Sequence, residues 1–197
     1  NVFWHEPTSK WVMILFENMG HSIFTSKNLV NWQFESHFET FHECPELFEL
    51  PIDGDTNKTK WVTYGAAGYY TIGSFDGKIF TPEFGQFRYV DGEFYAAQTY
   101  ENIPSEDGRQ IQIGWATIET PDMSFNMMMG FPTELTLRET ANGIRLFNEP
   151  ISEIEILHKN VRKYKSLTWK ETNEKLKEQY PDMLHLKMIL EPISAGT

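Results

Sequence analysis

Short strand-like segments separated by tight-turn signals recur along the first 150 residues, and this rhythm constrains the fold more than any other feature. The tripeptide Lys-Trp-Val begins at Lys10 and again at Lys60, a spacing of fifty residues that falls in the range of β-propeller blades. Each round holds about four strand patterns, the content of one blade. Pairs that favour the two-residue turn of a β-hairpin separate these patterns at Asp76-Gly77, Asp91-Gly92, Asp107-Gly108 and Asn142-Gly143. The pattern predicts an all-β fold, but a β-sandwich with irregular loops would give a similar rhythm.

The sequence becomes polar and charged from residue 149 onward, which is typical of a solvated linker. Beyond this stretch, residues 170–179 favour either a short charged helix or a solvated loop. Alternation of apolar residues from Leu184 to Leu190 indicates a strand. We therefore predict one domain over residues 1–148 and a second segment over residues 149–197.

Charge and composition disfavour several classes of protein. The net charge of −11 disfavours nucleic acid as a partner, because an acidic surface repels polyanions. No stretch approaches the roughly 18 consecutive apolar residues of a membrane-spanning helix, so no membrane span is expected. The single cysteine, Cys44, cannot form an internal disulfide or a thiolate zinc cluster. The histidines lack metal-ligand spacing, so we expect neither a metal nor a cofactor.

Glu43 is the carboxylate most suited to acid–base chemistry. Apolar residues surround it in the segment Phe-His-Glu-Cys-Pro-Glu-Leu-Phe, residues 41–48. We expect desolvation there to disfavour the charged carboxylate and so to raise its pKa, as a general acid near neutral pH requires. Two alternatives stay open: Glu43 lies at a strand edge and faces water, or Glu46 is the acid if Glu43 proves to be exposed.

Residues 42–48 resemble the Glu-Cys-Pro-Asp-Leu-Phe signature of glycoside hydrolase family 32, the β-fructofuranosidases (invertases, levanases and inulinases). The resemblance covers nearly all of residues 1–158 in the order found in the family. It is carried further by the segments Asn1–Trp4, Lys10–Met13, Tyr64–Phe75, Phe94–Thr99, Ile111–Trp115 and Pro132–Arg138.

The resemblance implies a five-bladed β-propeller followed by a β-sandwich. Residues 1–148 would then form the C-terminal blades of a partial propeller whose first blades are missing. Residues 149–197 would form a linker and the beginning of the sandwich. Self-association through exposed propeller edges is expected, because unpaired strand edges offer a template for another chain. For the full-length protein the resemblance favours a secreted or periplasmic location.

The resemblance also implies a retaining hydrolysis with two carboxyls, one acid/base and one nucleophile, about 5–5.5 Å apart. Glu43 matches the acid/base, with Cys44 as its packed neighbour. Trp115 resembles a residue lining the fructose pocket, with plain packing as an equal alternative. Tyr95 is a candidate for contact with sugar, although core packing is the simpler interpretation.

Two of the family's three catalytic carboxylates have no counterpart in this sequence. The nucleophile's Asn-Asp-Pro-Asn-Gly motif does not occur, and the Arg-Asp-Pro motif would end just before Asn1. We therefore expect the full-length protein to release fructose from levan- or inulin-type fructan or from sucrose, and this chain alone to be inactive. The alternative is a non-catalytic propeller remnant that binds carbohydrate or protein. Linkage preference is left open.

Overall fold

Antiparallel β-strands dominate the computed structural model, which describes residues 1–40, 43–177 and 185–189. The chain divides into two compact units, Asn1–Leu157 and a second unit that begins at His158. The prediction of an all-β fold is confirmed for the first unit, where the strands form three consecutive four-stranded antiparallel meanders.

The first meander forms a sheet of its own in the order β1-β2-β3-β4. The apolar run of β2 places Val12 and Ile14 in the core, where they pack with Ile23 of β3. Because strand side chains alternate between faces, every second residue of this run can be buried. The bounds are β1 (Val2–His5), β2 (Lys10–Glu17), β3 (Gly20–Ser26) and β4 (Trp32–Glu39).

The second meander presents one face to each of two cores. On its first strand Leu47 packs with the core of the first meander, while Phe48 and Leu50 pack into a separate core shared with the third meander. Adjacent residues of a strand face opposite sides, so this division follows directly from the sequence Leu-Phe-Glu-Leu. The bounds are β5 (Glu46–Ile52), β6 (Asp55–Tyr64), β7 (Tyr69–Phe75) and β8 (Phe80–Arg88).

The third meander runs in the order β9-β10-β12-β13, and the two-residue β11 pairs with the far end of β10. A parallel bridge between Leu137 and Ile52 joins it to β5. The hydroxyl of Tyr70 accepts a hydrogen bond from the backbone N–H of Leu146 at 3.1 Å, which ties β7 to β13. The bounds are β9 (Tyr95–Thr99), β10 (Gln110–Ala116), β11 (Met128–Met129), β12 (Thr133–Thr140) and β13 (Gly143–Pro150).

The second unit contains one described helix, α1 (Trp169–Lys177). Thr168 and Glu171 form a capping box, in which Thr168 Oγ1 accepts from the N–H of Glu171 and Glu171 Oε2 accepts from Thr168. The helical interpretation of residues 170–177 is therefore confirmed, and residues 178–179 lie outside the described part. Residues 185–189 have no regular secondary structure, and the ends of the predicted strand lie outside the described residues.

No helix among the described residues is long and apolar enough to cross a membrane. The assignment of residues from 149 onward to a linker and the beginning of a sandwich stays a prediction.

We expect the isolated chain to self-associate through the edge strands of the first sheet. Val2 on β1 and Phe34 on β4 are exposed apolar residues at these edges, and such edges pair readily with a second copy. Sedimentation velocity should show dimers or larger species whose share grows with concentration. The variants Val2→Lys and Phe34→Lys should shift the chain towards monomer. A monodisperse monomer with a sharp cooperative melt would show the expectation to be wrong.

Candidate functional site

Glu43 lies in the segment between β4 and β5, and its side chain is exposed. The hydroxyl of Tyr95, the first residue of β9, donates a hydrogen bond to Glu43 Oε2 at 3.0 Å. This bond holds the pKa of the Tyr95 hydroxyl above its ordinary value, because the adjacent carboxylate disfavours loss of the proton. The structure thus joins two predicted site residues that are far apart in the sequence.

Backbone hydrogen bonds brace the same two segments through the loop between β6 and β7. The N–H of Ala66 donates to the carbonyl of Glu43 at 2.8 Å, and the carbonyl of Ala66 accepts from the N–H of Ala96 at 3.0 Å. Glu43 and Tyr95 are therefore positioned by main-chain contacts as well as by their own side chains.

Both site residues are followed by a residue in the left-handed region. Cys44 has φ of 54° and Ala96 has φ of 49°. For residues that carry a Cβ, this conformation costs on the order of 1–3 kcal/mol and persists only where surrounding contacts enforce it. These two residues turn the main chain directly after Glu43 and directly after Tyr95. The backbone strain therefore lies at the positions that set the orientation of the two side chains.

The expectation that apolar residues bury Glu43 is wrong. Glu43 is exposed, and the buried carboxyl is that of Glu46. Glu46 begins β5 and is 1% exposed. Along β5, Glu46 lies on the same face as Phe48 and Leu50, which point into the core. The alternation of side chains along a strand could therefore have indicated its burial from the sequence. Burial raises the pKa of the Glu46 carboxyl to about 7, although a hydrogen bond from Thr99 Oγ1 at 2.8 Å favours the charged form.

Glu46 is unsuited to the role of proton donor that the sequence left open for it. A general acid must come within hydrogen-bond reach of the atom that it protonates. A side chain with 1% exposure offers no surface to a dissolved substrate. Glu43 is therefore the accessible carboxyl of the pair.

Cys44 is partly buried beside Glu43. Desolvation raises the pKa of its thiol, and the nearby carboxyls of Glu43 and Glu46 raise it further. Because the thiolate is the nucleophilic form, Cys44 is poorly suited to act as a nucleophile. This environment agrees with a packed neighbour of Glu43.

Trp115 extends the site on β10, where it pairs with Tyr95 across the β9–β10 ladder. The two ring centroids lie 6.5 Å apart in an edge-to-face arrangement, and Trp115 is 38% exposed. The preceding residue, Gly114, leaves room for the ring of Phe94, with which a Cβ at that position would clash. The ring of Trp115 packs against Tyr95 and is partly open to solvent.

Two further residues lie beside these side chains. Met129 of β11 pairs with Trp115 on the side opposite Tyr95 and is exposed. Thr99, at the end of β9, holds the buried Glu46. Neither residue type carries a chemical signal of its own. Strand pairing places Met129 beside Trp115, and a side-chain hydrogen bond between strands that do not pair places Thr99 beside Glu46.

The described residues contain no group of three or more His, Cys, Asp or Glu side chains that could hold a metal ion. A cavity of about 450 Å³ lies elsewhere in the first unit, and none of the predicted site residues lines it. Its walls are formed by Trp4, His5, Glu6, Pro7, Glu49, Trp61, Phe75 and Asp76.

Comparison with known proteins gives one family. The profile of the glycosyl hydrolases family 32 N-terminal domain matches residues 1–150. The chain is 33% identical to a levanase of Bacillus subtilis over 85% of its own length, and 38% identical to an extracellular exo-inulinase of Meyerozyma guilliermondii over 59%. It spans 28% and 26% of the lengths of these two relatives.

Solved structures agree with the sequence matches. A fructofuranosidase from Schwanniomyces occidentalis complexed with fructose aligns with 76% of this chain at 30% identity and a TM-score of 0.64, with 34% of that protein covered. An exo-inulinase from Aspergillus awamori aligns with 76% at 28% identity and the same TM-score, with 35% of that protein covered. The β-rich unit therefore has the fold of the family's propeller-domain structures, while the number of blades and the sandwich stay predictions.

Burial of Glu46 predicts a pH-dependent stability. The folded pKa of about 7 lies above the ordinary value of 4.5, so the folded chain holds this proton more tightly than the unfolded chain. The contribution is present below pH 4.5 and is lost as the pH rises to about 7, a change on the order of 3 kcal/mol.

The measurement is the difference in free energy of unfolding between wild type and Glu46→Gln across pH 4.5–7.5. This difference isolates Glu46 from His5, whose pKa is lowered by burial and whose contribution rises with pH in the same window. Glu139→Gln is the matched control, because Glu139 is an exposed glutamate on β12 whose charge is not among those that act on His5 or on Glu46. A difference that does not vary with pH would contradict the prediction.

Proposed function

The chain belongs to glycosyl hydrolase family 32, and we propose that the full-length protein releases fructose from β-fructofuranosides by a retaining two-carboxylate mechanism. Relatives named levanase, extracellular exo-inulinase and invertase support this activity. Levan-type fructan, inulin-type fructan and sucrose are the proposed substrates. The names of the exo-inulinases favour a secreted protein.

Glu43 is the proposed acid/base, and the observation that carries the proposal is its accessible carboxyl bonded by the hydroxyl of Tyr95 at 3.0 Å. As an acid it would protonate the departing glycosidic oxygen, and as a base it would remove a proton from the water that frees the fructosyl group. Tyr95 can donate to the carboxylate in the base form and yield that contact when Glu43 is protonated. Proton exchange also requires that the carboxyl can reach the substrate, which the exposed Glu43 can do and the buried Glu46 cannot.

Tyr95, Trp115 and Cys44 are the proposed substrate-binding neighbours. The partly open ring of Trp115 offers an apolar face to a sugar, and Tyr95 combines a ring with a hydroxyl. Cys44 is proposed to shape the pocket floor as a neutral thiol. The five-bladed propeller and the following β-sandwich complete the proposed architecture.

The 197-residue chain alone is proposed to be inactive. A retaining mechanism needs a second carboxyl about 5–5.5 Å from the acid/base, and the motif that carries the nucleophile in the family does not occur in this sequence.

We expect Glu43→Gln in the full-length protein to reduce fructose release by about a hundredfold or more, because general acid–base catalysis contributes 10²–10⁴. Substrate binding should persist, since the amide keeps the shape of the carboxyl. Release of fructose from levan, inulin and sucrose measures the effect, with Glu49→Gln as the control. Activity within about tenfold of wild type would remove Glu43 from the role. A wild-type protein that binds fructan without cleaving it would favour the binding remnant.

We expect Trp115→Ala to raise KM for the preferred substrate several-fold, because contacts made by an aromatic ring contribute roughly 0.5–1.5 kcal/mol beyond burial. Trp115→Phe should recover most of the affinity. Trp4→Ala is the matched control, since Trp4 is equally exposed but lies on β1 of the first sheet. An unchanged KM in Trp115→Ala would leave this residue with a packing role only.

A further inference from the structure

Two side-chain hydrogen bonds connect β9 with Glu43, in the segment before β5, and with Glu46, the first residue of β5. Tyr95, the first residue of β9, donates to Glu43, and Thr99, the last residue of β9, donates to Glu46 at 2.8 Å. The backbone N–H of Thr99 also donates to the Glu46 carboxyl. In the sheet, β9 pairs with β10, whereas β5 pairs with β6 and β12. The geometry of Glu43 against Tyr95 therefore depends on these contacts and on the Ala66 brace.

The surroundings of Glu46 are polar but incompletely satisfied. The hydroxyl of Tyr64 and the amide nitrogen of Gln112 are buried and lack a hydrogen-bond partner among the described residues. The hydroxyl of Tyr89 donates to the other amide atom, Gln112 Oε1, at 3.2 Å. A carboxyl at this position is expensive to bury, and a glutamine could accept from Thr99 at lower cost. The glutamate therefore adds a titratable charge that the hydrogen bond from Thr99 does not require.

We propose that Glu46 is a positioning residue, which holds Thr99 and thereby fixes Tyr95 against the carboxyl of Glu43. This inference rests on the proposed function, in which Glu43 is the acid/base. Glu46 does not touch substrate, because it is 1% exposed. It acts through Thr99 on the placement of Tyr95 and through its charge on Glu43.

Ionisation of Glu46 should therefore change the electrostatic environment of the Glu43 carboxyl. In the 197-residue chain the charged groups that face Glu46 are the amino group of Asn1, which favours its ionised form, and Glu101, which opposes it. Within a longer protein the nitrogen of Asn1 is an uncharged peptide nitrogen, so the favourable charge belongs to the 197-residue chain alone. Tyr64, Tyr89 and Cys44 also face it, and each has its pKa raised by burial first and by Glu46 in addition, so all three stay protonated at neutral pH. Near pH 7 the proton on Glu46 is thus the one that changes within this cluster.

The first test follows the ¹³C carboxyl resonance of Glu43 with pH in the 197-residue chain, with Glu43→Gln identifying the signal. Wild type should show a secondary inflection near pH 7, and Glu46→Gln should lose it. Thr99→Val should move the inflection upward by about one pH unit, because the carboxylate loses a hydrogen-bond donor. Thr99→Ser should restore it, and Glu49→Gln should leave it in place. An inflection that persists in Glu46→Gln, or that is missing from wild type, overturns the proposal.

The second test measures fructose release by the full-length protein. Thr99→Val should lower kcat about tenfold with KM within about threefold, because a small misplacement of a reacting group is costly to rate. Thr99→Ser should return kcat to within about twofold of wild type. Glu46→Gln should displace the alkaline limb of the kcat profile, a change that simple loss of stability would not produce. Equal kcat and equal pH profiles in all variants overturn the positioning role.

The two tests separate the failure of this inference from the failure of the proposed function. If the full-length wild type releases no fructose, the function fails, while the resonance of Glu43 still decides whether Glu46 acts on it. If fructose release depends on Glu43 but is indifferent to Glu46 and Thr99, the function stands and the inference fails.

Discussion

The structure of the first unit depends on the alternation of side chains along β5. Leu47 faces the core of the first meander, while Phe48 and Leu50 face the core shared with the third. This strand therefore separates the two cores, with the first meander packed on one of its faces and the third meander on the other. The same alternation turns Glu46 inward and leaves Glu43 on the connecting segment outside the strand. The arrangement of an exposed and a buried carboxyl three residues apart follows from hydrophobic packing rather than from any chemistry of the carboxyls.

Local turn chemistry explains which parts of the fold could be predicted from the sequence. Asp76-Gly77 and Asn142-Gly143 connect paired strands, as the Gly-containing pairs indicate. Asp91-Gly92 instead connects two meanders, because β8 and β9 pair with different partners. The turn between β2 and β3 was not anticipated, since φ is positive at both Asn18 and Met19 and methionine is rare in such a position. The positions of the strands could thus be predicted from the sequence. Which strands pair with each other could not, because pairing depends on contacts between residues that are distant in sequence.

The candidate site was predicted by residue type but not by environment. Glu43, Tyr95 and Trp115 were identified through the motifs of a family, and the structure places Tyr95 against the other two. The polarity of a carboxyl's surroundings depends on which neighbours fold over it. The apolar residues that flank Glu43 in the sequence therefore led to a wrong prediction that it is buried. The contact of Thr99 with Glu46 had no signal in the sequence.

The left-handed kinks at Cys44 and Ala96 bear on how this scaffold should be engineered. Glycine adopts such a conformation without steric cost, so a redesign aimed at heat resistance would select it at both positions. Glycine would also free the main chain at the two joints that orient Glu43 and Tyr95. Engineering that selects for thermal stability alone would therefore loosen the orientation of these two side chains. Stability and activity are best screened separately for substitutions at these two positions.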